Sequence, residues 1–131
     1  MSTILEAVGN YLVAQGYGTL GTDIFLGLMP DKPDVCIGVY ENEGGTPDFT
    51  MGNVLFDNPS IQIIVRSAPE DYPTARDTAQ SIRLLLSQVS NATLSGITVL
   101  RIAPVSSLLP MGGDTNDRPH VSANFRCMLQ L

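Results

Sequence analysis

The fold is decided by residues 60–104, whose sequence is SIQIIVRSAPEDYPTARDTAQSIRLLLSQVSNATLSGITVLRIAP. In its middle, residues 71–90 place six apolar side chains at the three- and four-residue spacing of an amphipathic helix: Ala75, Ala79, Ile82, Leu85, Leu86 and Val89. Asp71 suits the N-cap, Pro73 is tolerated in the first turn, and Asn91 can end the helix. We therefore predict a helix whose apolar side packs on a sheet.

The segments on either side of this helix have the patterns of strands. Before it, Ile61, Ile63 and Val65 alternate with other residues, and after it residues 97–103 form an apolar run rich in β-branched side chains. A strand, a helix and a strand in this order can form a right-handed parallel crossover.

The rest of the chain contributes one more helix and three more strands. Ser2 or Thr3 can cap a first helix that reaches about Gln15, and Glu6 can complete a capping box with Thr3. Residues 23–28 and 34–40 are predicted strands, separated by a turn at residues 30–33. In the last strand, five alternate residues share one apolar face: Val121, Ala123, Phe125, Cys127 and Leu129.

These elements predict an α+β fold in the order α-β-β-β-α-β-β. A mixed, mainly antiparallel sheet with two helices packed on one face is the economical arrangement for them. No composition shift marks a boundary, so we predict a single domain over residues 1–131.

Two long connections interrupt this pattern, at residues 41–59 and 105–118. The first opens with acidic residues and Gly44–Gly45 and then becomes apolar, with Phe49, Met51 and Val54 among its residues. The second begins with apolar residues and ends in a polar tip. Each is predicted either to pack on its own core or to contact another subunit.

Composition restricts the possible partners. The chain has 131 residues, of which 44% are hydrophobic and only 15% charged, a hint of buried surface between subunits. Its formal charge of −6 disfavours binding to nucleic acid or anionic lipid. No apolar run is long enough to span a membrane, and Glu6 lies where a signal peptide carries positive charge, which predicts a protein kept in the cytosol.

The sequence offers little material for catalysis. His120 is the sole histidine, so no pair or cluster of histidines can act as acid, base or metal ligands. Cys36 and Cys127 each lie in strand-like apolar sequence, which predicts buried, reduced thiols. The glycine pairs lack the spacing of a phosphate-binding loop. We therefore predict no catalytic, cofactor or metal site, and a small enzyme is the disfavoured alternative.

Several segments together resemble one known protein family. They are residues 44–47 (GGTP), residues 58–63 (NPSIQI) leading to Ala68-Pro69 and the central helix, and residues 117–125 (DRPHVSANF). The chain thus resembles, over nearly its whole length, the tail terminator or tail-completion proteins of long-tailed bacteriophages, a group often labelled minor capsid proteins.

This resemblance implies a structural virion protein of the tail or neck, made in the host cytoplasm and without enzyme activity or cofactor. Six protomers would form a ring that caps the tail tube and joins it to the head-completion proteins. The expected partners are other copies of the chain, the major tail tube protein and a head-completion or stopper protein, while DNA passes through the bore without specific binding. An acidic bore would let DNA slide, because it repels phosphates.

In this interpretation the second long connection supplies the partner contacts. The expected contact residues are Leu108, Leu109, Met111, Asp117, Arg118 and His120. A loop that packs on its own protomer is the competing interpretation. Alternative functions are another head-tail connector or stopper component, or a monomeric adaptor that binds a peptide along a free strand edge.

Overall fold

The computed structural model describes residues 3–42, 48–49 and 55–130. Within these residues the chain forms two helices and nine strands, in the order α1 (Ile4–Ala14), β1 (Ile24–Leu26), β2 (Cys36–Asn42), β3 (Asp48–Phe49), β4 (Leu55–Asp57), β5 (Ser60–Arg66), α2 (Tyr72–Leu86), β6 (Ser90–Leu94), β7 (Ile97–Pro104), β8 (Leu109–Gly113) and β9 (Pro119–Gln130). The sequence predictions for Ser2 and for residues 43–47 and 50–54 lie outside the described residues.

Helix α2 begins as predicted but ends earlier. The Asp71 side chain accepts a hydrogen bond from the Thr74 N–H at 3.4 Å, and the buried side is formed by Ala75, Ala79, Ile82 and Leu86. The predicted extension to residue 90, with Asn91 as the end, is wrong. Residue 90 already begins strand β6, and Asn91 has a positive φ of 49° within that strand.

Helix α1 also has the predicted start. The Thr3 hydroxyl oxygen accepts a hydrogen bond from the Glu6 N–H at 3.2 Å, which satisfies one of the free donors at the helix N-terminus. The helix buries Ile4, Val8 and Leu12 in the same core cluster to which α2 contributes. Both helices thus help to cover one apolar core.

Strand β9 is the centre of the sheet, because four other strands pair with it. Its Arg126 pairs with Ser60 of β5 and also with Ala103 of β7, so those two strands lie on opposite edges of β9. Both are antiparallel to β9 and therefore run in the same direction. The two strands predicted on either side of α2, β5 and β7, are thus parallel in direction, but β9 lies between them and β6 comes between α2 and β7 in the chain.

The core lies on one face of this sheet. The predicted apolar face of β9 is confirmed, since Val121, Ala123, Phe125, Cys127 and Leu129 are all buried. In β5 the alternating residues Ile61, Ile63 and Val65 are buried as predicted. The sheet is mixed because β1 pairs with β2 in parallel while the other named strand pairs are antiparallel.

The predicted element order is incomplete, because it lacks β3, β4, β6 and β8. Strands β6 and β7 form a hairpin in which Ser95 and Gly96 connect Leu94 to Ile97, with φ of 49° and 81°. Positive φ at both central residues is the backbone of a tight two-residue hairpin turn. The second long connection is also part of the sheet, since β8 pairs with β9 through Leu109 and Ser122.

We predict that Phe125→Ala lowers the free energy of unfolding by about 3–5 kcal/mol, because the ring is fully buried at the centre of the core. Chemical denaturation of the purified protein measures the change. Met128→Ala on the same strand is the matched control, because Met128 is exposed on the opposite face, and it should cost well under 1 kcal/mol. Equal losses for the two variants would contradict the assignment of the faces.

Candidate assembly surfaces

The sheet face opposite the core is here called the outer face. On β9 it is formed by the residues that alternate with the buried ones: Ser122, Asn124, Arg126, Met128 and Gln130. Ser122 is fully buried, whereas the last three of these side chains are exposed. One end of the outer face is therefore covered by other parts of the chain, and the other end is open.

A buried arginine holds the loop that covers the closed end. Arg66 on β5 is 3% exposed, and within the described residues its guanidinium donates only to backbone carbonyls of residues 30–34. Its Nε lies 2.9 Å from the Asp34 oxygen, and its Nη2 lies 2.6 Å and 2.7 Å from the oxygens of Pro30 and Pro33. The loop keeps its path because one side chain satisfies several of its carbonyls.

A second buried arginine, Arg118, ties this loop to the turn between β8 and β9. Its Nε donates to an Asp114 carboxylate oxygen at 2.9 Å, and its Nη2 contacts the carboxylates of Asp31 at 2.9 Å and Asp114 at 2.8 Å. Its Nη1 donates to the Asp34 carboxylate at 3.2 Å and to the Asp31 carbonyl. Three carboxylates from two loops thus surround one guanidinium.

The pKa values of these groups follow from their contacts. Burial alone raises the pKa of Asp114, but the hydrogen bonds from the Arg118 side chain and from the backbone N–H groups of Arg118 and Asn116 outweigh it and lower the pKa to about 2. The hydrogen bond from Lys32, at 3.0 Å, lowers the pKa of Asp34. Bonding to Asp114 raises the pKa of Arg118. Asp34, Asp114 and Arg118 are therefore charged at neutral pH.

The apolar residues predicted as partner contacts separate into two groups. Leu109 and Met111 lie on β8 with 54% and 49% of their surface exposed, whereas Leu108 is buried in the core cluster. Every residue of β8 is exposed, and within the described residues the strand pairs with β9 alone. Leu109 and Met111 are thus accessible to a partner, and Leu108 stabilises the protomer.

The polar residues predicted as partner contacts are mostly engaged within the chain. Arg118 is 4% exposed and surrounded by its own carboxylates, as described above. The His120 ring is half-buried, with Nδ1 2.9 Å from the Arg118 carbonyl oxygen. The Asp117 side chain is exposed, while its carbonyl accepts a hydrogen bond from the Glu70 N–H at 2.9 Å. A partner can reach Asp117 directly, and a contact through any of the three remains a prediction.

The open end of the outer face carries residues that sequence reasoning did not select. We call the outer stripe the set formed by Arg101, Val105, Leu109, Arg126 and Met128. The β7–β9 ladder pairs Arg101 with Met128, Val105 donates its N–H to the Asn124 carbonyl, and Leu109 pairs with Ser122. All five side chains are exposed. The outward position of Arg126 and Met128 could be predicted from the alternation of side chains in β9. The residues that lie beside them could be identified only from the strand pairing in the structure.

Two clefts border the core. One, of about 340 Å³, lies between α2 and β2 and includes Cys36 and Asp77 in its lining. The other, of about 630 Å³, lies beside the first turn of α1 and is lined by Glu41, Asp57, Ile97 and Leu129 among others.

The chemistry of the described residues gives no sign of a reactive centre. Both cysteines are buried and unpaired, as predicted, and burial raises the pKa of Cys127 to about 12, so its thiol is protonated at neutral pH. No group of three or more His, Cys, Asp or Glu side chains in the described ranges is arranged to hold a metal ion. In the same ranges, no helix combines the length and apolar character needed to cross a membrane.

Comparison with known proteins identifies a family and a related fold. A family model described as bacteriophage tail terminator protein matches residues 11–131. The structure is similar to a chain in the solved virion of a native gene transfer agent particle, with a TM-score of 0.61 and 15% sequence identity over 85% of this chain and 81% of that one. At this identity the likeness concerns the fold. Among curated proteins, no sequence matches the chain.

We predict that Arg66→Lys lowers the free energy of unfolding by about 2 kcal/mol or more, because an ammonium group cannot replace the fork of donors to the loop carbonyls. Chemical denaturation measures the loss. Arg101→Lys is the matched control, because the Arg101 side chain is exposed and its guanidinium has no hydrogen-bond partner among the described residues. Its effect on the free energy of unfolding should stay within about 0.5 kcal/mol. Equal effects would show that the loop does not depend on Arg66.

We predict that Asp114→Asn weakens the acid dependence of stability. Because the folded protein lowers the pKa of Asp114 from 3.8 to about 2, this carboxylate stabilises the fold above pH 4, and the stabilisation is lost as pH falls towards 2. The variant should be less stable at pH 7 and should lose less stability between pH 4 and pH 2. Thermal unfolding across this range tests it. Asp117→Asn removes a carboxylate of the same turn that has no ion pair among the described residues and is the matched control. Equal acid dependence of Asp114→Asn and wild type would contradict the prediction.

Proposed function

This chain belongs to the family of bacteriophage tail terminator proteins, and from that premise we propose that it forms a hexameric ring that caps the tail tube. Its family gives it a structural role in the phage tail, as a component of the virion. The observation that carries the proposal is the family match over residues 11–131. The resemblance in fold to a chain of a gene transfer agent virion supports it.

A ring of identical protomers requires two different, complementary surfaces on each copy. The outer stripe and the exposed strand β8 together form one candidate for these surfaces, because they expose Val105, Leu109, Met111 and Met128. Large apolar side chains concentrated on one part of a surface are typical of interaction sites. The buried Arg66 and Arg118 hold the loops beside this surface in a fixed conformation, which reduces the ordering cost of assembly.

The ring would join two neighbours in the virion. One side would contact the major tail tube protein and the other a head-completion or stopper protein, while DNA passes through the bore. The net charge of −6 supports a bore that does not retain DNA, since Arg118 is neutralised by carboxylates inside the protomer and Arg66 is buried. The protein would be synthesised in the host cytoplasm, act at the tail or neck, and need neither catalysis nor a cofactor.

The proposal is tested by mixing the purified protein with the major tail tube protein. Mass measurement and electron microscopy should show a ring of six copies at one end of each tube. A complex at the head side of the neck would favour the connector or stopper alternative. In the adaptor alternative a peptide would add a strand to β8, whose single partner among the described strands is β9, and a monomer that binds extended peptides would support that function.

We predict that Leu109→Asp leaves the protomer folded and abolishes assembly, because the side chain is 54% exposed on β8 and a charge there would be buried by a partner. Circular dichroism reports folding, and sedimentation with tail tubes reports assembly. Leu84→Asp is the matched control, with the same substitution on α2 at 53% exposure, and it should assemble normally. Unfolding of Leu109→Asp would instead place Leu109 in the core.

A further inference from the structure

The outer stripe combines unpaired cations with exposed apolar side chains. Neither Arg101 nor Arg126 forms an ion pair within the described residues, although the chain has 13 carboxylate side chains against 7 cationic ones. The pairing of Arg101 with Met128, and the position of Arg126 two residues before Met128 on β9, place both arginines beside Met128 on the open sheet face. Arginine and methionine are enriched in protein interfaces. A partner for this stripe therefore needs carboxylates beside an apolar surface.

The chain itself presents such a surface on the other side of the sheet. We call the acidic groove the cleft of about 630 Å³ lined by Glu41, Asp57, Ile97 and Leu129. Glu41 pairs with the buried Ile61, and Asp57 pairs with Leu129, so both carboxylates lie on the core side of the sheet at its margin. The described lining of the groove contains no lysine or arginine.

We propose that the outer stripe of one copy docks in the acidic groove of the next copy. Arg101 and Arg126 then face Glu41 and Asp57, and Met128 lies against the apolar lining of the groove. The inference rests on the proposed ring and specifies its contact between copies. Charge complementarity supports this partner. Of the other cations, Arg66 and Arg118 are buried, Lys32 pairs with Asp34, and Arg76 and Arg83 lie on α2 rather than on the outer face.

The geometry makes this contact head to tail. The stripe lies on the outer face, whereas the groove carboxylates Glu41 and Asp57 lie on the core side at the sheet margin, where the groove reaches Gln130. The two surfaces use different residues, so a copy that uses its stripe still has a groove for the next copy. Such heterologous contacts form a closed ring when the rotation between copies closes. A contact of stripe with stripe would bring Arg101 and Arg126 of one copy against the same residues of the other, and the like charges oppose it.

A matched pair of charge reversals tests the stripe. Arg126→Glu should raise the dissociation constant for self-association at least roughly 100-fold, because a like charge then faces the groove. Arg76→Glu, an exposed charge reversal on α2, should leave association unchanged. Sedimentation of the full chain, alone and with tail tubes, measures both, and circular dichroism verifies folding. Equal association of Arg126→Glu and wild type would overturn the proposal, as would a wild type that stays monomeric even on tubes.

Exchanging the charges tests the pairing. The stripe variant carries Arg101→Glu and Arg126→Glu, and the groove variant carries Glu41→Lys and Asp57→Asn, which keeps the oxygen that accepts from the Asn58 N–H at 3.0 Å. Each alone should fail to assemble. When the two variants are mixed, they should form assemblies that contain equal numbers of each, because every contact again joins opposite charges. Normal assembly of the groove variant alone would show that the groove carboxylates are not needed for the contact, and no rescue on mixing would refute the pairing.

The outcomes separate this inference from the proposed function. If the mixture rescues assembly but wild-type rings do not bind tail tubes, the contact stands and the function fails. If wild type caps tubes but the exchange of charges has no effect, the function stands and the contact fails. Loss of binding to duplex DNA by Arg126→Glu, with self-association intact, would assign the stripe to DNA and overturn the inference.

Discussion

Strand pairing along both edges of β9 is the constraint on which the rest of the structure depends. Twelve residues, Pro119–Gln130, serve four strands, with β5 and β7 on opposite edges at Arg126. Because side chains alternate along a strand, this pairing also fixes which residues share a face over most of the sheet. One face carries the core cluster to which both helices contribute, and the other face carries the outer stripe.

Two buried arginines hold loops over one end of the outer face, so the other end remains open. A buried guanidinium is costly unless its donors are satisfied, and Arg66 and Arg118 are satisfied by carbonyls and carboxylates of residues 30–34 and by Asp114. The planar fork of arginine can bind several oxygens at once, which lysine cannot. The guanidinium groups of these two residues are thus satisfied within the protomer at one end of the outer face. At the other end, Arg101 and Arg126 have no carboxylate partner among the described residues.

The elements with a regular spacing of apolar residues could be predicted from the sequence, and those without such a spacing were missed. Helix α2 and the faces of β5 and β9 followed from apolar spacing, because their packing is decided by a single buried side. Strand β6 has little apolar alternation, although Ser95-Gly96 was an available turn signal. Strand β8 contains Pro110 and two glycines and is exposed throughout, so it exists only because β9 pairs with it. The contacts of Arg118 with Asp31 and Asp34 could not be predicted from the sequence either, because both residues are more than 80 positions away along the chain.

The same features favour side-chain docking over strand addition between copies. An exposed strand edge invites uncontrolled pairing, and native proteins limit this with proline, bulges and short strands. Strand β8 has Pro110, which lacks an N–H, and a register shift beside it, while β1 is three residues long. Strand addition there would be weak and open-ended. Contacts made by Arg101, Arg126 and Met128 with a shaped, oppositely charged groove instead have a defined geometry, which a closed ring requires.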